Sequence, residues 1–485
     1  MCGIIAILGA DLGPADLAEA RAALERTRHR GPDASNVLNG PGYVLGHNRL
    51  SIQGTHLCSA QPLTASDGAH LLSINGEIYN ASKLGTASER LHADSDCSAV
   101  LNLLREASES AANGWIDGPT LRRLLARLDG VYSFVYLNLE AQQVVVARSR
   151  FGVMPLYYCR ETEKSSSSSS SRPARTCFAS ERKALPKEAH VAQVPPGSYA
   201  SFGLSGDPNA VHWNCFDAVA APRQHSAGPL AAAFPAPAGV MDVSRFRWLL
   251  RDAVRKRVES VSPEVRLGFL LSGGLDSSAV VALARDLWPD RELLTFSIGL
   301  AGSPDLLAAR VVAEHCKTEH HEHVFTVAEA LEAVPQVIEA VETVDVTTVR
   351  ASTPMWLLAR HIKRDFPKLK VLLSGEGADE LLGGYLCFHQ APSLEESKAY
   401  SLKLLRNLHA YDVQRAHHSL MAHSIEARVP FLDNAFTGYC LGLHPVFLTP
   451  VCRQEKYWLR RAVQDLLPPS IVTRTKEQFS DGVGY

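Results

Sequence analysis

The residue pattern predicts an α/β protein in two parts, a β-rich first part and a second part built on a doubly wound parallel sheet. Three observations carry that prediction. Across residues 1–203, short apolar runs such as Tyr43–Leu45, Leu71–Ile74, Val131–Leu137 and Val144–Ala147 are separated by Gly, Asn and Asp turns, the signature of strands. From about residue 241 the period changes. Amphipathic helical stretches (Val243–Glu259, Leu306–Glu314, Ala328–Glu342, Ser352–Lys363) alternate with apolar strands (Leu267–Leu271, Leu293–Gly299, Val371–Leu373), which argues for parallel strands covered by helices on both faces. Between the two lies Ala218–Gly239, rich in Ala, Pro and Gly, which reads as a linker within 204–240. The expected domains are therefore 1–203 and 241–485. The serine run Ser165–Ser171 has no apolar surface to bury and reads as a loop between two strands.

Composition excludes several classes of function. With 485 residues the chain is long enough for at least two cores, and 46% hydrophobic with 21% charged residues is ordinary for a globular protein. The formal charge of -2 gives no electrostatic footprint for nucleic acid. No apolar run is long enough to span a bilayer, and Ile4–Leu8 is too short and too soon followed by Asp11 to read as a signal peptide. A cytoplasmic protein without membrane or nucleic-acid partners is expected. Ten cysteines are scattered with no C-x-x-C pair, so most read as small apolar thiols in a reducing compartment.

One cysteine stands where chemistry is expected. The chain begins Met1-Cys2-Gly3, and removal of Met1 would leave Cys2 with a free α-amine, an intramolecular base of pKa about 8 for its own thiol. There follow, in order, Arg28-His29-Arg30-Gly31-Pro32-Asp33, Gly46–Ile52 (GHNRLSI), Gln61-Pro62-Leu63, Asn75-Gly76-Glu77-Ile78-Tyr79-Asn80 and Ser95-Asp96-Cys97. Taken alone, Asn75-Gly76 is a common hairpin signal. Together these segments closely resemble the class II glutamine amidotransferases, whose N-terminal-nucleophile α+β sandwich domain hydrolyses glutamine. The resemblance implies Cys2 as nucleophile, with Asn75 and the backbone N–H of Gly76 as the oxyanion hole. It implies Arg49 for the glutamine α-carboxylate, Glu77 and Asp96 for its α-ammonium, and Leu50, Ser51, Ile52 and Gln53 as pocket lining.

In the second part, Gly268–Leu271 runs into Ser272-Gly273-Gly274-Leu275-Asp276-Ser277-Ser278 and then a helical pattern. A strand, a Gly-rich turn and a helix N-terminus form an anion site, and the missing G-K-[ST] excludes a Walker A loop. Val371–Leu373 leads likewise into Ser374-Gly375-Glu376-Gly377-Ala378-Asp379-Glu380 and Gly383-Gly384-Tyr385. Two such strands would converge at the carboxyl edge of the sheet, where these folds bind ligands. SGGLDSS resembles the signature of ATP pyrophosphatases that adenylate carboxylates. The set as a whole, with Ser303-Pro304-Asp305, Asp345–Pro354, Tyr385–Pro392, Glu426–Asp433 (EARVPFLD), Glu455-Lys456-Tyr457 and Lys476–Tyr485, resembles the glutamine-dependent asparagine synthetases.

That resemblance implies synthesis of asparagine from aspartate, glutamine and ATP through a β-aspartyl-AMP intermediate. Leu270, Ile298, Ser374 and Gly375 would contact ATP; Ser272, Gly274, Asp276 and Ser277 would hold pyrophosphate. Glu376 would help form the intermediate and take a proton from ammonia, and Lys456 would stabilise phosphate charge, although alone it reads as an exposed helix lysine. Asp276 and Asp379 would bind Mg²⁺. Arg350 would stand near the aspartate, and the family implies a homodimer. Family sequences continue past a segment like Lys476–Tyr485.

The chain departs from the family in carrying Ser98 after the S-D-C motif and Ser149 where an Asp is usual, departures expected to loosen local salt bridges without touching the nucleophile. Two rival readings stay open: an ATP-dependent amidotransferase with a different acceptor acid, and a non-catalytic relative. His315, Cys316, His320, His321 and His323 match no zinc-ligand spacing and read as a helix end followed by a strand, without zinc.

Overall fold

The computed structural model describes residues 2–54, 59–84, 95–161, 174–187, 189–205, 211–219, 239–475 and 483. The serine run, nearly all of Ala218–Gly239 and all of Lys476–Tyr485 except residue 483 lie outside them. The chain forms two compact units, Met1–Ala218 and Val219–Tyr485.

The first unit is built on two antiparallel sheets. Its strands are β1 (Gly3–Leu8), β2 (Ala34–Gly40), β3 (Tyr43–Arg49), β4 (Leu63–Thr64), β5 (His70–Ile78), β6 (Gly130–Asn138), β7 (Gln143–Arg148), β8 (Tyr157–Glu161), β9 (Arg175–Ala179), β10 (Val191–Gln193), β11 (Ser198–Gly203) and β12 (Asn214–Cys215). Among the described residues one sheet runs β10-β8-β9-β1-β3-β2 and the other β12-β11-β7-β6-β5-β4. The period-2 alternation of β1 explains the layering. Ile4, Ala6 and Leu8 join Val135, Leu137, Val144 and Val146 in the core between the sheets. Ile5 and Ile7 point the other way, onto Ala20, Ala23 and Leu24 of α1 (Pro14–Arg26). The second sheet's outer face, through Ile74, Tyr132 and Phe134, packs on α2 (Asp96–Glu109) and α3 (Gly118–Ala126). The sandwich is thus helix-covered on both sides. The β-rich reading of 1–203 missed these three helices, whose apolar stripes lie between longer strand signals.

Among the described residues the second unit holds a five-stranded parallel sheet in the order β15 (Glu319–Val324), β14 (Leu294–Gly299), β13 (Arg266–Leu270), β16 (Leu369–Leu373), β17 (Glu426–Arg428). Its helices are α4 (Val243–Glu259), α5 (Leu275–Leu287), α6 (Pro304–Cys316), α7 (Val327–Val341), α8 (Val346–Asp365), α9 (Ala378–Leu382), α10 (Leu394–Asn407), α11 (Asp412–Met421), α12 (Asn434–Gly442), α13 (Tyr457–Val463) and α14 (Pro469–Val472). The chain winds from β13 through β14 to β15, then returns to β16 and β17 on the other side. The switch point therefore falls between β13 and β16, where an open α/β sheet leaves a crevice for ligand. The apolar stretch at Ser352–Lys363 belongs to a longer helix. α8 starts earlier because the Asp345 side chain accepts from the N–H of Thr348, and it continues through Pro354 inside the helix. No helix among the described residues is long and apolar enough to cross a membrane.

Candidate active sites

In the first unit, Cys2 sits buried at the head of β1, and its backbone nitrogen donates to Oδ1 of Asn75 on β5 at 2.8 Å. That bond engages only one end of the amide. Asn75 Nδ2 is buried without a hydrogen-bond partner among the described residues. A buried, undischarged donor beside a thiol is costly unless something arriving there accepts from it. Asn75-Gly76 is not the hairpin turn its composition suggests. The pair lies inside β5, opposite Ser133 and Tyr132 of β6. Gly76 has φ 156°, and a Cβ there would collide with the carbonyl of Val131, so the position excludes any side chain.

The other predicted residues gather on the same side. Glu77 is buried and accepts from Gln53 Nε2 at 2.5 Å; Asp96, the first residue of α2, accepts from the N–H of Ile78 at 2.7 Å. Arg49, at the end of β3, turns its guanidinium onto the carbonyl of Gly54 in the loop that holds Leu50, Ser51, Ile52 and Gln53. Gly31 explains the preceding RHRGPD segment. Its missing side chain lets that segment lie against Arg49, where a Cβ would come within 2.5 Å of the Arg49 backbone. Asp33 then accepts from the N–H of Ser51 at 2.7 Å.

Arg30 of the RHRGPD segment ties the start of β1 to the residue that follows β9 and Ser180. Wholly buried, it donates through Nε to the carbonyl of Cys2 at 3.1 Å and through Nη1 to Glu181 at 2.9 Å. His47 supplies no base, because burial and then the Arg49 charge push it down to about 3. Cys97 is not a rival nucleophile. Burial, then the charges of Asp96, Glu77 and Cys2, hold its thiol well above the usual cysteine range. The two family departures are accommodated locally: Ser98 pairs its hydroxyl with that of Ser95 at 3.1 Å, and the hydroxyl of Ser149 accepts from the N–H of Tyr132 at 3.0 Å.

In the second unit a cavity of about 330 Å³ opens at the switch point. Leu270, Ser272, Gly274, Asp276, Ser277, Ile298, Ser374, Gly375, Glu376, Asp379 and Lys456 all line it. The loop after β13 turns through Gly273 at φ 71°, and Gly274 caps α5, so the first-turn N–H groups face the cavity. Gly375 lets the loop after β16 close on that helix, since a Cβ there would stand 3.0 Å from the Asp276 Cβ and the Ser277 nitrogen.

Lys456 is not an exposed helix lysine. Only 4% exposed, it adopts a left-handed backbone conformation (φ 53°) at the N-cap of α13 and places Nζ 2.5 Å from both Asp276 Oδ2 and Asp379 Oδ1. Gly384 makes room, because a side chain there would overlap both Lys456 and Asp379. Arg350, by contrast, is exposed and does not line the cavity; its neighbours Thr347 and Ala351 do.

Sequence reasoning missed the cavity's arginines. Arg415 on α11 pairs with Glu376 and with Asp412, each at 2.8 Å, and Arg474 pairs with Asp305 at 2.8 Å. Burial pushes Glu376 up, against the pull of Arg415. Glu380 is pushed up to about 8 by burial and by Asp412 and Asp379, and the Tyr385 hydroxyl donates to it. No motif marks Arg415 or Arg474; only the folding of α11 and the segment after α14 onto the sheet edge brings them in.

Comparison with known proteins gives the same two halves. Residues 1–213 match the family described as glutamine amidotransferase domain, and residues 245–407 and 395–485 match asparagine synthase. Over its whole length the chain is 39% identical to a probable asparagine synthetase [glutamine-hydrolyzing] of Schizosaccharomyces pombe, covering 85% of it. It is 36% identical to asparagine synthetase B [glutamine-hydrolyzing] of Escherichia coli and 38% identical to the asparagine synthetase [glutamine-hydrolyzing] of Brassica oleracea. All of this chain is matched in both cases, with 83% and 78% of those proteins covered.

Proposed function

The chain belongs to the glutamine-hydrolysing asparagine synthetase family, and we propose that its two sites divide one reaction as follows. ATP, aspartate, glutamine and water become AMP, diphosphate, asparagine and glutamate. In the first unit the Cys2 thiolate attacks the glutamine side-chain amide, with the α-amine freed by loss of Met1 taking the thiol proton. Negative charge develops on the amide oxygen. Asn75 Nδ2 and the N–H of Gly76 are the donors set to receive it, and the buried, undischarged Nδ2 is the observation that carries this reading. Arg49 takes the α-carboxylate and Glu77 with Asp96 the α-ammonium. Ammonia leaves, and water releases glutamate from the thioester.

In the second unit the aspartate β-carboxylate displaces diphosphate from the α-phosphorus of ATP. A free carboxylate is a poor electrophile, whereas the acyl adenylate has AMP as a good leaving group. The N–H groups and hydroxyls of Ser272–Ser277 receive the phosphates at the head of α5. Lys456, held buried between Asp276 and Asp379, supplies a fixed positive charge beside them. Asp276 and Asp379 are hard oxygen donors of the kind that hold Mg²⁺ with substrate phosphates, and that ion would neutralise phosphate charge. Ammonia then attacks the adenylate carbonyl, and Glu376 takes its surplus proton. The raised affinity of Glu376 for a proton suits that role.

The experiment is Cys2→Ala. Glutamine-dependent asparagine formation should fall about a thousand-fold or more, while ammonia-dependent formation stays near wild type. Survival of glutamine-driven synthesis, or a mature protein that retains Met1, would sink the scheme.

A further inference from the structure

Among the described residues, one group of three metal-capable side chains lies outside both sites: His323, Glu329 and His361, whose ligand atoms all lie within 4.8 Å of one another. They come from three elements. His323 is near the end of the edge strand β15, Glu329 is in the first turn of α7, and His361 is in the last part of α8. The imidazole rings stack with centroids 3.3 Å apart and planes 30° from parallel. Glu329 Oε1 stands 3.3 Å from His361 Nε2 and 3.8 Å from His323 Nε2.

The hydrogen bonding of this cluster is incomplete. His323 Nε2 and His361 Nδ1 are buried without hydrogen-bond partners among the described residues. His361 meets the carboxylate with Nε2 and leaves Nδ1 unpartnered, whereas the unpartnered Nε2 of His323 stands beside the carboxylate, a desolvation cost that a cation would recover. Two nitrogens on one tetrahedral zinc, each bonded at about 2.0–2.1 Å, lie roughly 3.3 Å apart, whereas the ligand atoms here all stand within 4.8 Å of one another, so the rings must unstack and draw their nitrogens together to share an ion.

We propose that His323, Glu329 and His361 form a binding site for a divalent transition metal, Zn²⁺ being the ion whose ligand preferences fit two imidazoles and one carboxylate. The run His315–His323 taken by itself has no zinc spacing. The site recruits only His323 from it and takes its other ligands from further along the chain. Arg360 donates at 2.7 Å to Glu329 Oε1, the same oxygen that faces both histidines, so an ion would compete with it or use the second carboxylate oxygen, while Arg364 is paired with Asp365 at 2.6 Å. Those two cations weaken the attraction, so the affinity falls short of a closed structural zinc site. The position gives the ion a consequence. Ile298, which lines the nucleotide cavity, is the register partner of His323, and Leu358, also in that lining, is three residues before His361. An ion here ties α8 to β15 directly behind the cavity wall.

The test uses the full chain freed of metal with a chelator, then titrated with Co²⁺ as a spectroscopic probe and with Zn²⁺ by calorimetry, without nucleotide. We expect one Co²⁺ per chain with tetrahedral-type visible bands, no thiolate charge-transfer band, and a higher melting temperature with Zn²⁺. His361→Asn and Glu329→Gln should each weaken binding about 10-fold or more. The Gln variant guards against a folding failure, because Glu329 is partly exposed. Absence of Co²⁺ uptake, a spectrum dominated by thiolate ligands, or unchanged affinity in folded variants would overturn the proposal.

Discussion

Glu376 sits between two opposing influences: burial favours its protonated form, and Arg415 at 2.8 Å favours its carboxylate. Removing Arg415 therefore lifts Glu376 further, and less of it is ionised at neutral pH. For Arg415→Met we expect ammonia-dependent asparagine formation to fall about 10-fold or more, and the acidic limb of its pH profile to move to higher pH. Glutamine hydrolysis should keep its wild-type profile, since no residue of the first site is touched. Comparing the two pH–rate profiles in one preparation checks this, and an unmoved acidic limb would count against Glu376 as base. The scale of single residues is also where sequence reading was weakest. Cys2, Asn75, Asp276 and Lys456 stand in recognisable strings; Arg30 does too, but its partners Cys2 and Glu181 lie 28 and 151 residues away, and Arg415, outside any motif, meets Glu376 39 residues away.

The EARVPFLD segment shows how an element gains its meaning. Asp433 N-caps α12, accepting from the N–H groups of Ala435 at 2.9 Å and Phe436 at 3.3 Å, and its other oxygen meets Arg257 Nη1 at 3.0 Å and Lys256 Nζ at 3.2 Å on α4. Burial alone would raise its pKa, but the two cations of α4 hold it well below the usual carboxylate range. Because the folded pKa is depressed, the stabilisation is present above the unfolded value of about 3.9 and is lost as pH falls below it. Asp433→Ala leaves Arg257 buried without this partner and should cost about 3–5 kcal/mol at pH 7. Urea unfolding at pH 7 and below pH 3.9 tests the point. The gap between variant and wild type should shrink with acid, and a pH-independent gap would mean that packing rather than charge is responsible.

At the scale of the molecule, each unit carries its own core and its own chemistry, so damage to one core should spare the other half-reaction. Leu372, next to the last residue of β16, is fully buried, and Leu372→Ala should cost the second unit about 2–5 kcal/mol. Aspartate-dependent AMP release should become heat-labile while glutamate release from glutamine persists; equal loss of both would show that the units do not fold separately. The amino-acid order alone determined the family and the α/β fold class, and it named the strings proposed as catalytic. Strand and helix periods, Gly-rich turns and motif spacing are properties of neighbouring residues and survive without a fold. Tertiary structure alone decided that Lys456 is buried between two carboxylates, that Asn75-Gly76 lies inside a strand, and that His323 meets His361. Those facts depend on the convergence of remote segments in a low-dielectric interior, where burial and long-range partners, rather than local residue type, fix the state of a side chain.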